Sequence, residues 1–462
     1  MAYQNVKGGR IGRDLTQGPV LMTLLTFAGP IVLSSIIQQI YSMVDLAVIG
    51  QYVGSTGSVG VSTGGELADF LLPVAMGFST AGQIYIAQLV GAHENEKAKE
   101  AIGTLLTTVI ALSFILIGVV FIMRVPFLHL LNCPEEAMGQ ASSYMIITAF
   151  GFPFVFGYNA IVGVLRGMGE AKRPLIFVIV AATVNIFADI LLVAVIPLEA
   201  AGTAIATVLS QIGCCVASVI YLYKNKEKFD FEIKRSYFKI HKDQLAILVK
   251  LAIPQIARAV LIRFSMLWTN AHVNSYGLVI SATNSIGNKI QRFMEVFIQG
   301  LDTACAAMIA QNLGAKKYDR AIKIVWTAFG VCMAISCVCA FIALEFPERL
   351  FAIMTKVTAV QQMGKEYLKI IVVHFFVSSF TVPFQAMITG SGFVSLGFFM
   401  GILDAVICRI SISLFLFCVV DLGYKAFWWG TSTARFLPGV IAFIYCMSGR
   451  WRTRKLLTER KT

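Results

Sequence analysis

The sequence predicts an all-α integral membrane protein with twelve transmembrane helices in two six-helix bundles, and three observations support this fold class. The chain of 462 residues is 57% hydrophobic and only 14% charged, whereas soluble domains are about 45–50% apolar and about 25% charged. Apolar runs long enough to cross a bilayer recur along the whole chain. The two halves of the chain are also similar to each other in sequence. A soluble globular protein and a disordered chain are therefore both excluded.

Twelve apolar runs reach the roughly 20 residues that a membrane helix needs. They begin near Leu21, Val59, Ala98, Ala137, Pro174, Ala200, Gln244, Ile280, Ala321, Glu366, Val394 and Ala426. The longest polar stretch lies between the sixth run and the seventh. We therefore expect an N-terminal bundle over residues 1–223, a cytoplasmic linker over 224–243, a C-terminal bundle over 244–448 and a basic tail over 449–462.

The formal net charge of +13 indicates the orientation of the chain in the membrane. Most of the 38 Lys and Arg residues lie in alternate loops, in the linker and in the tail. By the positive-inside rule these segments are cytoplasmic, so both termini are expected on the cytoplasmic side of the plasma membrane. This distribution argues against nucleic acid as a partner. The ten cysteines lie mostly in apolar runs, where no disulfide framework is expected.

The two halves are predicted to be repeats. A shift of 223 residues places Gly77–Ala98 on Gly300–Ala321, with identical residues at many positions, and the same shift places Gly167 on Gly390 and Gly169 on Gly392. Because six spans per repeat is an even number, both halves insert with the same orientation. They should then be related by a pseudo-two-fold axis along the membrane normal. Two similar bundles of this kind are typical of an alternating-access transporter.

Acidic side chains in the N-terminal spans are the first candidates for a functional site, because ionisable groups inside a membrane are costly. Asp45 lies deep in the first span, one helical turn after Tyr41, and Pro30 is a candidate hinge in the same span. The alternative is that Asp45 is solvated near the outer interface.

The fifth span carries Asn185 and Asp189, whose spacing of four residues places them on one helix face. A carboxylate and an amide one turn apart suit a cation or proton site, although a helix-packing hydrogen bond is the alternative. Thr207 in the sixth span and Asn159 in the fourth are further candidates. The shift of 223 places Asp45 on Trp268 and Asp189 on Ile412. The shared scaffold therefore does not require these acids, which favours a functional role.

The C-terminal spans are basic. Arg258 and Arg263 could favour a ligand with an anionic part if they face a cavity, whereas pairing with acids is the alternative. Arg292 and Glu295 are expected to pair with each other at a spacing of three residues. Enzyme motifs such as a phosphate-binding loop or HExxH are absent from the sequence. We therefore expect no enzymatic activity and no cofactor.

Several segments together resemble the multidrug and toxic compound extrusion (MATE) transporters. These are QIYSMVDLAVIG in the first span, GAHENEKAKEA and QNLGAKKYDRA after the second and eighth spans, and LRGMGEAKRP, NIFADILL and AAGTAIATVLSQ through the fourth to sixth spans. Each motif alone is weak, but their order and spacing over the whole chain are specific to that family.

The resemblance implies an antiporter that exports amphipathic organic compounds in exchange for H⁺ or Na⁺. The chain resembles the branch whose cation site lies in the N-terminal half, and the matching positions are Asp45, Asn185, Asp189 and Thr207. These four would be the metal ligands if the ion is Na⁺. The carboxylates that another branch uses in the seventh and tenth spans have no counterpart here.

We place five residues in the expected substrate cavity: Gln38, Tyr41, Asn159, Arg258 and Arg263. The expected partners are small amphipathic organic substrates and membrane lipids, and the protein is expected to be a monomer. The alternative is a flippase of the same superfamily that moves an anionic lipid-linked substrate, as the basic C-terminal half suggests. A membrane-embedded enzyme or sensor is disfavoured, because the five histidines are scattered.

Overall fold

The computed structural model describes residues 13–225, 237 and 239–459. Lys7, Arg10, most of the expected linker and the last three residues of the tail lie outside the described residues. The first half contains these helices: α1 (Val20–Tyr52), α2 (Gly54–Gly91), α3 (Asn95–Leu130), α4 (Glu135–Phe150), α5 (Phe152–Gly167), α6 (Lys172–Asp189), π1 (Ile190–Val195) and α7 (Glu199–Lys224).

The second half repeats this pattern with additional breaks. Its helices are α8 (Lys242–Asn274), α9 (Leu278–Gly314), α10 (Tyr318–Glu345), α11 (Pro347–Ala352), α12 (Thr358–Gly390), α13 (Val394–Ile402), π2 (Leu403–Cys408), α14 (Arg409–Cys418), α15 (Lys425–Thr433) and α16 (Phe436–Met447), followed by short 3-10 turns at Arg450–Arg452 and Leu457–Glu459.

The predicted all-helical membrane architecture is confirmed in the described part of the chain. Ten helices are long and apolar enough to cross a bilayer, and α4 with α5, bent by 46°, forms an eleventh span. The last span is broken into α15 and α16. Large apolar side chains point outward, including Ile122 at 77% exposure and Phe187 at 71%. An exterior of this kind suits lipid, and helices are the elements that satisfy every backbone hydrogen bond there.

The helix boundaries reproduce the predicted repeat. The α4–α5 pair covers Glu135 to Gly167, and α12 covers Thr358 to Gly390, which is the same segment after the shift of 223. The turns that follow these spans both need a left-handed backbone, and glycine provides it at Gly169 (φ 85°) and Gly392 (φ 68°). The two halves therefore share their turns as well as their spans.

The chain divides into two compact units. Among the described residues, unit 1 contains 13–14 and 33–252, and unit 2 contains 15–32 and 253–459. The helix α1 therefore passes from unit 2 to unit 1 after Val32, close to Pro30, and α8 passes from unit 1 to unit 2 after Ala252, close to Pro254. A proline in a helix removes one backbone hydrogen bond and weakens the helix locally.

Each unit packs around one long buried helix or helix pair. In unit 1, α2 packs against α3, α4 and α5, while α6 packs against α7. In unit 2, α12 packs against α9, α10 and α16. The interior of unit 2 is rich in aromatic residues, with Tyr367, Phe375, Phe427 and Trp428 all buried in one core cluster.

Candidate functional site

Asp189 stands where an α-helix changes into a π-helix. It is the last residue of α6, and π1 begins at the next residue. The wider π turn changes the direction of the side chains that follow it, and such turns are frequent at functional sites. The Asp189 side chain is almost completely buried, and so is Asn185 one turn earlier. The predicted common face of these two residues therefore points into the protein.

Asp45 lies close to Asp189, although the two residues are far apart in the sequence. Asp45 is half-buried on α1, and its charge acts directly on the carboxyl group of Asp189. The structure thus brings together the two acids that the sequence predicted as separate candidates. Because both belong to unit 1, this acid pair is formed within one bundle.

Unsatisfied acceptor oxygens distinguish this cluster. Within the part of the chain that the structure describes, four buried oxygens lack a hydrogen-bond partner: Asp45 Oδ1, Asn185 Oδ1, Asp189 Oδ1 and Asp189 Oδ2. A buried acceptor without a donor costs about 1–3 kcal/mol, and more if it is charged. A proton, or a cation that accepts oxygen ligands, would remove this cost. These oxygen atoms are therefore suitable for binding H⁺ or Na⁺.

The position of Thr207 gives no direct evidence that it belongs to the site of Asp45 and Asp189. It is half-buried on α7, and its backbone carbonyl accepts a hydrogen bond of 2.7 Å from Ser210 Oγ. Thr203, one turn earlier, is fully buried, and its hydroxyl has no hydrogen-bond partner among the described residues. The role of Thr207 stays a prediction.

No group of three or more His, Cys, Asp or Glu residues suited to a metal occurs in the described part of the chain.

Of the three cavity residues expected in the N-terminal half, Tyr41 adjoins the acid pair. It is half-buried and interacts electrostatically with Asp45 and with Cys214. Gln38 is exposed on the same helix. The Asn159 side-chain amide nitrogen donates a hydrogen bond of 2.8 Å to the carbonyl of Val155, so this nitrogen is engaged within its own helix.

Tyr144 is a neighbour of the acid pair that the sequence alone did not predict. This side chain on α4 packs against α2 at Gly64 and lies within electrostatic reach of Asp45, Asp189 and Asp69. The sequence did contain a signal on the helix that Tyr144 contacts, because Glu66 and Asp69 are carboxylates in the second predicted span. The same rule that selected Asp45 would have selected them.

The expected pairing of Arg292 with Glu295 is wrong. Glu295 is buried on α9, whereas Arg292 on the same helix is exposed. Glu295 instead contacts His374 Nε2 on α12, and Arg435 Nη1 lies 3.8 Å from its Oε1. The spacing i, i+3 makes such a pair possible, but here the buried carboxylate is engaged by His374 and Arg435 instead.

A second polar cluster lies inside unit 2, and we call its five members the C-terminal polar cluster: Glu295, His374, Asp404, Arg409 and Arg435. Asp404 accepts a hydrogen bond of 3.0 Å from Arg409 Nη2 and one of 3.3 Å from Arg435 Nε. Both Asp404 and Arg409 are buried. The cluster joins α9, α12, π2, α14 and the start of α16.

The two arginines expected in the substrate cavity are both half-buried. Arg258 packs so closely against α13 that a Cβ added at Gly401 would lie 2.6 Å from its Cγ. Its charge interacts with Asp404 and with Asp302. Arg263 also has an interaction partner. Arg258 therefore interacts with two acids as well as with a second arginine, Arg435.

Comparisons with known proteins agree with this architecture. The family model MatE matches residues 30–211 and 254–415. The probable multidrug resistance protein YpnP of Bacillus subtilis is 26% identical over 458 residues, which cover 97% of this chain and 99% of YpnP. The probable multidrug resistance protein YoeA of the same organism is 28% identical over 306 residues, which cover 65% of this chain and 66% of YoeA.

A solved structure confirms the fold. The crystal structure of a MATE protein in the bent conformation superimposes with a TM-score of 0.89 at 16% identity, covering 96% of this chain and 98% of that chain. The family match includes α1 from Pro30 onward, the acid pair and most of the second repeat. The chain therefore belongs to the MatE family of multidrug and toxic compound extrusion transporters.

Proposed function

We propose that the protein is a secondary active efflux antiporter that exports amphipathic organic compounds in exchange for H⁺ or Na⁺. The transporter would act as a monomer in the plasma membrane, with both termini cytoplasmic. The names of the relatives YoeA and YpnP, both probable multidrug resistance proteins, support the substrate class. The alternating loops rich in Lys and Arg support the orientation.

The observation that carries the proposal is the set of unpartnered oxygens on Asp45, Asn185 and Asp189. A proton or a bound cation removes the energetic cost of buried acceptors that lack donors. A carboxylate binds either one, whereas the Asn185 amide oxygen can accept a hydrogen bond from a protonated carboxyl group or add a ligand to Na⁺. A coupling ion at this cluster gives the bundle two states, one with the acids charged and one with them neutralised.

The transport cycle then follows from differential affinity. An ion shifts a conformational equilibrium only if it binds one conformation more tightly than the other. We propose that the acid pair binds its ion in the outward-open conformation, and that α1 then bends near Pro30. This bend would narrow the substrate site near Tyr41 and release the substrate. Return to the inward-open conformation releases the ion into the cytoplasm.

The test is efflux from proteoliposomes with a pH gradient and a Na⁺ gradient imposed separately, with ethidium as the cationic amphipathic probe. The gradient that drives ethidium transport identifies the coupling ion. We expect Asp45→Asn and Asp189→Asn to lower the driven efflux at least about tenfold, because an amide takes up no proton at physiological pH and has no negative charge to attract a cation.

A matched control is Asp421→Asn. Asp421 is exposed in the loop before α15 and has φ 56°, a backbone conformation in which Asn is readily accommodated. This variant should transport like the wild type. Wild-type efflux in both Asp45→Asn and Asp189→Asn, at normal expression, would show that the acid pair does not couple transport.

The flippase alternative depends on basic side chains that are free to hold an anionic headgroup. The attraction of Arg258 to Asp404 and Asp302 argues against that alternative, because it offsets part of the charge that would hold an anionic headgroup. Arg258→Ala should therefore reduce the yield of folded protein, with little effect on the transport rate per folded molecule. A lipid-flipping activity abolished by Arg258→Ala and Arg263→Ala at normal yield would favour the flippase instead.

A further inference from the structure

One end of unit 2 is strongly basic. Residues 315–323, at the turn from α9 into α10, contain one acid, Asp319, and four basic residues: Lys316, Lys317, Arg320 and Lys323. Residues 449–458, which follow α16, contain no acid and four more basic residues: Arg450, Arg452, Arg454 and Lys455. We call these eight basic residues the unit 2 basic surface. Six of them are exposed, and Arg320 and Arg454 are half-buried.

The segment after α16 is held against the turn between α9 and α10. Trp451 is only 1% exposed, and its ring packs edge-on against Tyr318, with 6.0 Å between the ring centroids. At the next position, Arg452 Nη2 lies 3.1 Å from Asp319 Oδ1. Leu457 is also buried, so the segment is fixed at more than one point. The basic residues of the turn and of this segment therefore form one surface.

The unit 2 basic surface lies at the end of membrane spans. Arg450 follows the end of α16, the last span, by three residues. Lys323 lies inside α10, one helical turn after Asp319. Long basic side chains near the end of a span extend toward the lipid headgroups. The anionic groups closest to this surface in a membrane are therefore those of lipids.

The positive-inside rule does not account for this charge by itself. The shift of 223 residues places the turn between α2 and α3 on the turn between α9 and α10, and both turns are expected on the same side of the membrane. In the unit 1 turn, Glu94 and Glu100 stand where unit 2 has Lys317 and Lys323. Lys97 of the unit 1 turn also forms an ion pair of 3.4 Å with Glu94. The excess of basic residues is therefore a property of unit 2 and not of the shared scaffold.

Much of the charge on this surface is not offset within the protein. Arg452 is paired with Asp319, whereas the structure describes no ion pair for three exposed residues of the described chain: Lys323, Arg450 and Lys455. Lys and Arg side chains form charge-assisted hydrogen bonds with phosphate oxygens. Clusters of about four to eight basic residues next to a span are typical of sites for anionic lipids. The charge and the location of the surface therefore suit the same kind of partner.

We propose that the unit 2 basic surface binds the headgroup of an anionic phospholipid, with Lys323, Arg450 and Lys455 supplying the positive charge that no acid offsets. Each basic side chain near an anionic lipid surface raises the affinity by about fivefold. The site does not rest on the proposed efflux function. Only its assignment to the cytoplasmic leaflet rests on the proposed orientation.

The first experiment titrates the full-length protein in a neutral detergent with fluorescently labelled phosphatidylglycerol, and phosphatidylcholine with the same label is the uncharged reference. We expect phosphatidylglycerol to bind at least about fivefold more tightly at about 50 mM NaCl. The difference should disappear at about 1 M NaCl, where charges are screened beyond about 3 Å. Equal affinities for the two lipids at the lower salt concentration would overturn the proposal.

The second experiment removes charge from exposed positions, where folding should be unaffected. The Arg450→Gln, Lys455→Gln double variant should bind phosphatidylglycerol about 25-fold more weakly, at about fivefold for each charge. The matched control, the Lys97→Gln, Lys172→Gln double variant, removes two exposed lysines from unit 1. It should keep the affinity within about twofold. Equal losses in the two double variants would show that the lipid responds to overall charge and would overturn the site.

Two further measurements separate this site from its alternatives. Inorganic phosphate in about tenfold excess over the labelled lipid should not displace it, because a free anion lacks the acyl chains that hold a lipid beside the spans. Displacement would overturn the choice of a lipid. Trp451→Ala keeps every charge but releases the segment after α16, so phosphatidylglycerol should bind at least about fivefold more weakly. Unchanged affinity in a folded Trp451→Ala variant would overturn the role of the held segment.

Discussion

Gly202 provides a direct test of how packing sets the position of Asp189. It lies on α7, and a Cβ added there would come within 2.8 Å of the carbonyl oxygen of Leu192 in π1. That oxygen already accepts a hydrogen bond of 2.9 Å from the Leu198 amide. A carbon–oxygen contact normally needs about 3.3 Å or more, so Gly202→Ala must displace π1 by roughly 0.5 Å.

The magnitude follows from this displacement. Overpacking costs about 1–3 kcal/mol, and the gain from Gly to Ala inside a helix returns about 0.5–1 kcal/mol. We therefore expect a modest loss of stability, measured as a lower melting temperature in detergent. Since π1 begins directly after Asp189, the acid also moves. A shift of about half an ångström should raise the ion concentration for half-maximal efflux by about tenfold, scaled from about 10²-fold per ångström.

The matched control lies on the same helix. At Gly213 an added Cβ would meet only a side-chain methyl of Val184 at 4.0 Å. Gly213→Ala should keep or slightly raise the melting temperature and should leave ion coupling unchanged. Equal melting temperatures and equal ion dependence for Gly202→Ala and Gly213→Ala would refute the reasoning that the close approach of α7 to π1 positions Asp189.

Three further predictions concern the hinge, the C-terminal polar cluster and the neighbour of the acid pair. Pro30→Ala should slow ethidium efflux at least about tenfold while its dissociation constant stays within about twofold, since a continuous helix bends less easily; unchanged efflux would contradict the hinge. Arg409→Leu should lower the free energy of unfolding by about 3–5 kcal/mol, because it leaves Asp404 buried with one partner fewer. The control is Lys425→Gln, which breaks an exposed ion pair with Glu366 and should cost less than about 1 kcal/mol. Equal losses for the two variants in chemical denaturation would contradict this reasoning. Tyr144→Phe should change the ion concentration for half-maximal efflux by about threefold or more, since one polar neighbour of the acid pair is lost, and an unchanged value would place Tyr144 outside the site.

Local sequence information was sufficient for the spans and for the repeat. An apolar run near the length of the hydrocarbon core admits few structures other than a helix, because lipid offers no hydrogen bonds to the backbone. Positions that need a left-handed turn also repeat, as Gly169 and Gly392 show. The common face of Asn185 and Asp189 followed from helical geometry alone.

The contacts between charged side chains on different helices could not be predicted from the sequence in the same way. Arg292 and Glu295 have the correct spacing for a pair, but helix packing exposes one and buries the other. The partner that Glu295 does find, His374, lies 79 residues away. No periodicity within a single helix encodes that contact, because it depends on how α9 packs against α12.

The sequence by itself determined the membrane class, the helices, the repeat and the acids worth testing, because burial in lipid is decided by local composition. Only the tertiary structure decided which charges meet. It brought Asp45 to Asp189 with oxygens that lack donors, and it placed Arg258 within electrostatic reach of Asp404, Asp302 and Arg435. The physical reason is that electrostatic energy depends on the distance between groups in space, and that distance is set by helix packing rather than by position along the chain.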